Sequence, residues 1–270
     1  MSTVHQLIPD VMRIISLNVN GLRSAALKGF FGWLAEQDAD LVCLQEIRIQ
    51  SPQLANPVFH PPGFHCVYFP ALKKGYSGVA VLSRLPPDEV IRGIGWTAFD
   101  NEGRYLEVRV ANLSVVSLYL PSGSSGPERQ AVKFEVMERL LPHLRTCHDS
   151  GRDYVLCGDW NIAHKPIDLK KWRSNLKNSG FLPEERAWMD RLLDDEGWVD
   201  GFRVINQAAG EYTWWSNRGL ARVNNTGWRI DYQMVTPSLS ACIRQASIYR
   251  DERFSDHAPL TLDYDYPLPA

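Results

Sequence analysis

The sequence predicts an α/β (α+β) fold in which a β-sandwich core is covered by helices on its outside. Apolar runs of strand length outnumber the helical stretches, and two of these runs are separated only by Ala111-Asn112, which predicts a hairpin. A hairpin makes its two strands antiparallel, so a sheet built from βαβ units alone is disfavoured. A chain with this many strands requires two packed sheets or one very wide sheet.

Eight runs have the length and apolar content of buried strands. Each consists largely of Val, Ile, Leu or aromatic residues and is bounded by polar or turn-forming residues. The predicted strands cover Arg13–Asn18, Asp40–Gln45, Gly78–Ser83, Tyr105–Val110, Leu113–Leu120, Tyr154–Cys157, Arg229–Val235 and Pro259–Tyr264.

Helical periodicity is confined to fewer stretches. In the clearest of them, apolar residues recur from Phe134 to Leu144 at helical spacing, and Ser125 with Glu128 predicts a capping box at its start. The predicted helices cover Ser24–Glu36, Pro127–Cys147 and Pro183–Glu196.

Composition predicts an ordinary globular protein. Of the 270 residues, 44% are hydrophobic and 22% charged, which is enough apolar material for a sizeable core. The chain contains no linker-like stretch and no repeat, so we expect a short N-terminal extension at 1–11 and a single domain at 12–270.

The chain carries no signal of export or membrane insertion. Its first twelve residues include Asp10 and lack a long apolar run, and the five cysteines form no CxxC pair. These features predict a reducing cytoplasm as the compartment and no membrane partner. No heptad or exposed repeat indicates assembly, so a monomer is expected.

A net charge of −2 does not by itself predict a nucleic-acid-binding protein. Any DNA affinity must therefore come from local charge. One candidate is the stretch Lys165–Lys177, where five basic residues face only Asp168. On charge alone, this stretch is equally well interpreted as a solvated loop rich in lysine.

The main functional signal is that apolar strands repeatedly end in carboxylates, amides or a tyrosine. Carboxylates at the edge of a core are costly unless a cation or hydrogen-bond donors compensate them. Any one of these residues taken alone is more simply a strand-end cap, but together they indicate a site. The residues are Asn18, Glu46, Tyr119, Asp159, Asn161, Asp231, Asp256 and His257.

Oxygen ligands of this kind suit Mg²⁺ or Mn²⁺ much better than zinc. Mg²⁺ usually keeps coordination positions for water and phosphate oxygens, so the pattern predicts hydrolysis of a phosphodiester. The loop Ser122–Ser125 is neither a GxSxG nucleophile elbow nor a P-loop, which disfavours a serine hydrolase and a P-loop nucleotide-binding protein.

The same segments resemble the exonuclease III and abasic-site endonuclease family across Met12–Tyr264. The resemblance implies a four-layer, DNase I-like α/β sandwich, two sheets flanked by helices, with the active site at one end. The matching segments are LNVNGLRSA, LVCLQE, GYSGVAVLSR, EGRYLEV, LYLPSGSS, LCGDWNIAH, NSGFLPEERAWMD, YTWWSNRG, GWRIDY and FSDHAPL.

The resemblance implies a role for each matching residue. Glu46 is similar to the family's principal ligand for Mg²⁺, for which Mn²⁺ substitutes. The metal set is completed by Asn18, Asn20, Asp256, Asp159 and Asn161. Asn20 stands where many relatives have Asp, which implies a weaker ligand there.

For catalysis, Asp159 is similar to the residue that positions or deprotonates the attacking water, and Asn161 to the one that holds this water or a phosphate oxygen. Tyr119 resembles the donor to the phosphate or leaving group. His257 resembles a phosphate-contacting histidine that Asp231 orients.

For substrate binding, the resemblance assigns Asn175 and Asn178, with Lys171, to the contact beside an abasic sugar. Trp214 and Trp228 match a hydrophobic pocket for the flipped-out sugar. The sequence departs from the family at Ser122 and Ser125, where many relatives carry an amide and a basic residue, so a contact to the DNA backbone is missing there.

We therefore expect a Mg²⁺-dependent DNA-repair nuclease that cuts duplex DNA on the 5′ side of an abasic site, with 3′-phosphatase, 3′-phosphodiesterase and 3′-5′ exonuclease activity on blocked 3′ ends. A second hypothesis is a non-catalytic regulator, since some relatives with similar LPSGxSG and WRxDYQ segments act in RNA-level control after losing active-site residues. A third is phosphodiesterase action on another substrate, such as intact DNA or a lipid phosphoester.

Overall fold

The apolar strands pair into two six-stranded mixed sheets in the computed structural model, which describes residues 11–269. Sheet A has the order β13-β14-β1-β2-β4-β3, and sheet B has the order β5-β6-β7-β8-β12-β9. A short ribbon, β10-β11, lies apart from both. The strands are β1 Val11–Asn18, β2 Leu41–Gln45, β3 His65–Phe69, β4 Val79–Ser83, β5 Glu89–Arg92, β6 Tyr105–Val110, β7 Leu113–Tyr119, β8 Asp153–Asp159, β9 Val199–Asp200, β10 Trp214–Trp215, β11 Gly227–Trp228, β12 Asp231–Val235, β13 Ile243–Ile248 and β14 Leu260–Asp265.

Helices cover the outer faces of both sheets. A helix α4 of 23 residues lies on sheet B, and its apolar face is buried from Val136 to Cys147. The helices are α1 Leu22–Leu27, α2 Phe30–Ala35, α3 Thr97–Asp100, α4 Pro127–Asp149, α5 Trp172–Asn175, α6 Pro183–Asp190, α7 Gly201–Ile205 and α8 Pro237–Ser240. A π-helical turn, Arg191–Asp195, continues α6.

The core has three apolar layers, which is the arrangement expected of a four-layer sandwich. The inner faces of the two sheets meet around residues such as Cys43 and Cys157. Sheet B packs on α4 and α6, and sheet A packs on α1 and α2. The predicted two-sheet sandwich with outer helices is confirmed.

The centre of each sheet is a parallel pair, β1 with β2 in sheet A and β7 with β8 in sheet B. The carboxyl ends of two parallel strands lie at the same edge of a sheet. Asn18, at the end of β1, is hydrogen-bonded to Asp159, at the end of β8, so both central pairs end at the same end of the sandwich.

All eight predicted strands are present, with ends shifted by at most two residues, and β6 and β7 form the predicted hairpin. Two helix predictions were wrong in detail. The stretch Ser24–Glu36 is two short helices, broken where Gly29 adopts a left-handed φ of 88°. The helix α4 begins at Pro127 after Gly126 without a side-chain cap, so Ser125 and Glu128 form no capping box.

The expected extension at 1–11 lies outside the described residues, except for Val11, which begins β1. Within residues 11–269, no helix combines the length and the apolar character needed to cross a bilayer.

Candidate active site

The polar residues at the strand ends converge on one cleft of about 830 Å³ at the end of the sandwich. The backbone turns sharply there, because Asn20, Glu46 and Asn161 all have positive φ, between 44° and 52°. Such φ values are uncommon for residues other than glycine and often accompany functional sites. The predicted site residues that line the cleft are Asn20, Glu46, Tyr119, Asp159, Asn161, Asn175, Asn178, Trp214, Trp228, Asp256 and His257.

Two asparagine side chains join the predicted ligands into one network. The buried Asn18 donates from Nδ2 to Glu46 Oε1 and to Asp159 Oδ2, at 2.8 Å in both cases. Asn20 donates from Nδ2 to Asp256 Oδ1 at 2.8 Å, and its backbone N–H donates to Asn18 Oδ1 at 2.9 Å. Carboxylates that are far apart in sequence are therefore neighbours in space.

The donor set consists of oxygens of the kind that hard divalent cations prefer. Glu46 is 92% buried, and its Oε2 accepts from Arg48 Nε at 2.9 Å. Asp256 accepts from Asn20 and, at 3.1 Å, from Trp214 Nε1. A carboxylate has about four acceptor positions, so each oxygen keeps capacity for an ion. The residues present therefore fit a divalent metal.

Among the described residues, Asp159, Asp231 and His257 form the one group of three acidic or histidine side chains with ligand atoms within 4.8 Å of one another. His257 Nδ1 lies 2.9 Å from Asp231 Oδ2, and its Nε2 lies 3.8 Å from Asp159 Oδ2. Because Asp231 holds Nδ1, the His257 ring is fixed in orientation where it lines the cleft.

The charges of this group shift its pKa values. Burial disfavours the imidazolium, but the carboxylates of Asp231 and Asp159 outweigh this effect and raise the pKa of His257 to about 10. Burial, together with the nearby Asp231 and Glu46, raises the pKa of Asp159 to about 7, although His257 and Asn18 oppose the shift. His257 is therefore an imidazolium at neutral pH, and Asp159 can take up a proton there.

Asn161 and Tyr119 complete the polar wall beside Asp159. The backbone N–H of Asn161 donates to Asp159 Oδ1 at 2.9 Å, and its Nδ2 donates to the Leu120 carbonyl at 2.9 Å. Burial raises the pKa of Tyr119 well above 10, and the guanidinium of Arg104 stacks 4.5 Å from its ring centre. The Tyr119 hydroxyl therefore stays protonated and can donate a hydrogen bond.

Aromatic and amide side chains form the opposite wall. Trp214 and Trp228 face each other in the β10-β11 ribbon, with ring centres 6.4 Å apart and planes at 80°. Asn178 donates from Nδ2 to Asn175 Oδ1 at 2.8 Å, which holds the two amides together. The structure brings all four residues to the cleft.

Three predicted residues lie off the cleft surface. Asn18 and Asp231 are fully buried behind it, where they bond Glu46 and His257. Lys171 precedes α5 and does not line the cleft, whereas Lys177 of the same basic stretch does. The short helix α5 lies between these two lysines and decides which of them reaches the cleft. Its orientation cannot be predicted from the sequence alone.

Two arginines that line the cleft were not predicted from the sequence. Arg48 bonds Glu46, and Arg218 lines the cleft from the loop after β10. Arg48 follows the LVCLQE segment by two residues, a spacing that could have indicated it. Ser122 lines the cleft, whereas Ser125 is exposed and does not.

Two packed sheets with a cleft of carboxylates, amides and an imidazolium at one end define a phosphodiesterase of the sandwich type. The chain belongs to the Endonuclease/Exonuclease/phosphatase family, which matches residues 15–257. Its members are nucleases and phosphodiesterases that depend on divalent metals. This chain is therefore an enzyme.

Individual relatives match almost the whole chain. An exodeoxyribonuclease of Bacillus subtilis (strain 168) is 43% identical over 93% of this chain and 98% of its own length. The structure of an AP endonuclease from Archaeoglobus fulgidus aligns with a TM-score of 0.86 at 29% identity, covering 94% of this chain and all of that one. The 3′ phosphatase NExo from Neisseria, bound to a product DNA hairpin, aligns with a TM-score of 0.87 at 28% identity and the same coverage.

Proposed function

We propose that this protein is a Mg²⁺-dependent DNA-repair nuclease that hydrolyses the phosphodiester 5′ to an abasic site in duplex DNA. Removal of 3′-phosphates and 3′-5′ exonuclease action are further activities of the same site. The observation that carries the proposal is the position of Asp159, which lies between the Asn18–Glu46 ligand network and the His257–Asp231 pair. The names of the similar proteins, an exodeoxyribonuclease, an AP endonuclease and a 3′ phosphatase, support it.

Glu46, Asn18 and Asp256, with Asn20, Asp159 and Asn161 around them, would hold the ion. A bound divalent ion supplies neutralisation of phosphate charge and lowers the pKa of a coordinated water. Mg²⁺ suits an all-oxygen donor set, and Mn²⁺ would substitute for it.

Asp159 orients the attacking water and accepts its proton. A general base works best when its pKa lies near the working pH, and burial brings the pKa of Asp159 to about 7. The water oxygen forms a bond to phosphorus while the bond from phosphorus to the 3′ oxygen breaks. The leaving 3′ oxygen takes up a proton from water or from the Tyr119 hydroxyl, which solvent then reprotonates. The products are a 3′-hydroxyl on one strand segment and a 5′-phosphate on the abasic one.

The remaining cleft donors stabilise the charge that develops on the phosphate. The His257 imidazolium, fixed by Asp231, donates from Nε2 to a phosphate oxygen. The Tyr119 hydroxyl and the Asn161 side chain line the same cleft, where Tyr119 assists the phosphate or the leaving oxygen. All three groups are held by buried neighbours, which limits their reorganisation during the reaction.

Trp214 and Trp228 give the site its preference for an abasic sugar. A nucleotide without a base is easier to unstack and extrude than an intact one, and an apolar pocket suits the bare sugar. Asn175, Asn178 and Lys177 contact the flanking backbone. Ser122 and Ser125 stand where many relatives carry an amide and a basic residue, so the contact of the protein with the DNA backbone is weaker there.

The test is incision of an abasic duplex by the purified protein with Mg²⁺, compared with an intact duplex and with a duplex that carries a 3′-phosphate. We expect cleavage 5′ to the abasic site, and a loss of several orders of magnitude in kcat for Asp159→Ala. Absence of incision, or unchanged activity of Asp159→Ala, would contradict the proposal. Preference for the 3′-phosphate would reassign the main substrate while keeping the chemistry.

We also propose that residues 12–270 act as one catalytic domain and that the protein works as a cytoplasmic monomer on nucleoid DNA. Light scattering behind a sizing column tests the oligomeric state, for which a mass near 30.7 kDa is expected.

A further inference from the structure

An ion pair lies directly behind the cleft, outside the residues that line it. Lys133 of α4 and Glu185 of α6 are both fully buried, and Lys133 Nζ lies 2.6 Å from Glu185 Oε1. Removing two charges from water is costly, and good geometry with further hydrogen bonds is needed to offset this cost. In this pair, those further bonds are directed at the backbone of the cleft wall.

Each partner of the pair holds a different cleft segment. Lys133 Nζ donates to the backbone carbonyl of Asn161 at 2.7 Å. Glu185 Oε2 accepts from the backbone N–H groups of Gly180 at 2.6 Å and of Leu182 at 3.0 Å. The pair therefore joins the turn at Asn161 to the turn at 178–182 through two helices.

These two turns approach each other closely. The N–H of Ala163 donates to the Gly180 carbonyl at 2.8 Å. A Cβ placed on Gly180 would lie 3.1 Å from the Asn161 carbonyl oxygen and 3.2 Å from the Trp228 ring. A small displacement of either turn would therefore move Asn161 relative to Asn178 and Trp228.

A third cleft segment, the loop after β7, is connected to the same pair through Gln130. Gln130, one helical turn before Lys133, donates from Nε2 to Glu185 Oε1 at 3.1 Å. A Cβ on Gly123 would lie 1.9 Å from Gln130 Oε1 and 2.6 Å from Ser179 Oγ, so the loop after β7 packs tightly on these side chains. The loop, the Asn161 turn and the 178–182 turn share one buried support.

We propose that Lys133 and Glu185 are positioning residues that fix the separation of the Asn161 turn and the 178–182 turn, and thereby the width of the cleft where the phosphate lies. The inference rests on the proposed function for its kinetic consequence. Neither residue lines the cleft, so both act through the backbone of Asn161, Gly180 and Leu182.

Kinetics test the positioning role with two variants and a control. Lys133→Met removes the donor to Asn161, and Lys133→Met/Glu185→Gln also removes the charge left unpaired. Because displacement by about 1 Å can cost about 100-fold in rate, we expect kcat on the abasic duplex to fall about 10- to 100-fold in both, with KM changed less than about threefold. The double variant should recover most of the Tm lost by Lys133→Met, because no buried charge remains unpaired.

The control is Arg145→Met. Arg145 lies on the same helix as Lys133, about 18 Å further along it at about 1.5 Å per residue, and the substitution breaks its pair with Glu196. It should leave kcat unchanged. Recovery of wild-type kcat together with Tm in the double variant, or an equal loss of kcat in the control, would show a purely structural role and overturn the proposal.

A second measurement needs no substrate. Hydrogen exchange followed by mass spectrometry should show exchange at Gly180 and Leu182 at least about tenfold faster in the double variant, because the neutral amide is a weaker acceptor than the carboxylate. Exchange in Arg145→Met should match wild type. If the wild-type protein cleaved no DNA phosphoester, the proposed function would fail, but hydrogen exchange would still decide whether the pair fixes the 178–182 turn. Unchanged exchange in the double variant would overturn the positioning role of Lys133 and Glu185.

Discussion

Two buried groups of carboxylates in this fold are compensated in opposite ways. The guanidinium cluster consists of Asp168, Asp200, Arg203 and Arg229. Arg229 donates to Asp168 at 2.8 Å and to Asp200 at 2.7 Å, and Arg203 donates to Asp168 at 2.7 Å. Two fixed cations face two carboxylates, so this cluster is balanced by the protein itself.

The reaction cluster consists of Asp159, Asp231 and His257, with the carboxylate of Glu46 close to it. One imidazolium faces two buried carboxylates there. The pKa values differ accordingly. Although burial opposes it, pairing with Arg229 and Arg203 lowers the pKa of Asp168 to about 2, whereas burial raises the pKa of Asp159 to about 7.

The comparison separates structural carboxylates from reactive ones. A buried carboxylate with dedicated guanidinium partners is stable as an anion and gains little from a further cation. A buried carboxylate without one gains free energy by binding a proton or a metal ion, which is what a hydrolytic site requires. The same substitution should therefore have different consequences in the two clusters.

The largest expected effect is on activity and comes from the reaction cluster. Asp231→Asn keeps the shape of the side chain but removes the charge that orients His257 and keeps it an imidazolium, and we expect kcat to fall on the order of 10,000-fold, as when a catalytic histidine loses its carboxylate. Because the lost carboxylate also repels Asp159, and because His257 can lose its proton when the charge is gone, the free energy of unfolding should change by only about 1 kcal/mol. Steady-state incision kinetics and urea denaturation check both parts; unchanged kcat would remove His257 from the mechanism.

The same change in the guanidinium cluster should affect stability instead. Asp168→Asn leaves Arg229 with only Asp200 as a charged partner, and removing one partner of a buried pair costs about 3–5 kcal/mol. Urea denaturation measures the loss. Activity per folded molecule should change less than about threefold, and a large loss of kcat at full folding would break the distinction between the clusters.

Acid should remove part of that stability. Because the pKa of Asp168 is lowered in the folded state from 3.8 to about 2, its contribution is present above pH 3.8 and is lost as the pH falls through about 2. The shift corresponds to about 2 kcal/mol. Denaturation of wild type and Asp168→Asn between pH 6 and pH 2.5 should show their difference narrowing, whereas a constant difference would contradict the assigned pKa.

The smallest expected effect is stabilisation by the metal. Mg²⁺ at about ten times its Kd should raise the free energy of unfolding by about 1.4 kcal/mol if it binds only the folded protein. Thermal denaturation with Mg²⁺ and with a chelator measures the shift. Glu46→Gln should abolish it and Asp168→Asn should preserve it; an equal shift in Glu46→Gln would place the ion elsewhere.

Edge strands show where sequence analysis of the fold reached its limit. The predicted central strands, such as β2 and β8, contain continuous apolar runs, Leu41–Leu44 and Tyr154–Cys157, because both of their faces are covered. The edge strands β3, β5 and β13 are half exposed, and their polar residues hide the alternation that would have indicated them. Their pairing with a neighbouring strand, which is set in three dimensions, makes them strands.

The residue types of the site were readable along the chain, because Asn18, Glu46, Tyr119 and Asp159 interrupt apolar runs where a polar group is costly. The contacts among them were not readable. The Asn18 bridge to Asp159 joins residues 141 positions apart and exists only because two parallel strand pairs end together. The buried support from Lys133 and Glu185 was equally invisible, since both occur in helices that look ordinary in sequence.

The sequence by itself determined the class of the fold, the hard-oxygen chemistry of the site and the family. Apolar runs, and the polar residues at their ends, can be recognised from their positions in the chain alone. The tertiary structure alone decided which carboxylates meet an arginine and which do not. That difference depends on distances between side chains a hundred or more residues apart, and it separates Asp168, a structural anion, from Asp159, which is left available for a proton or a metal ion.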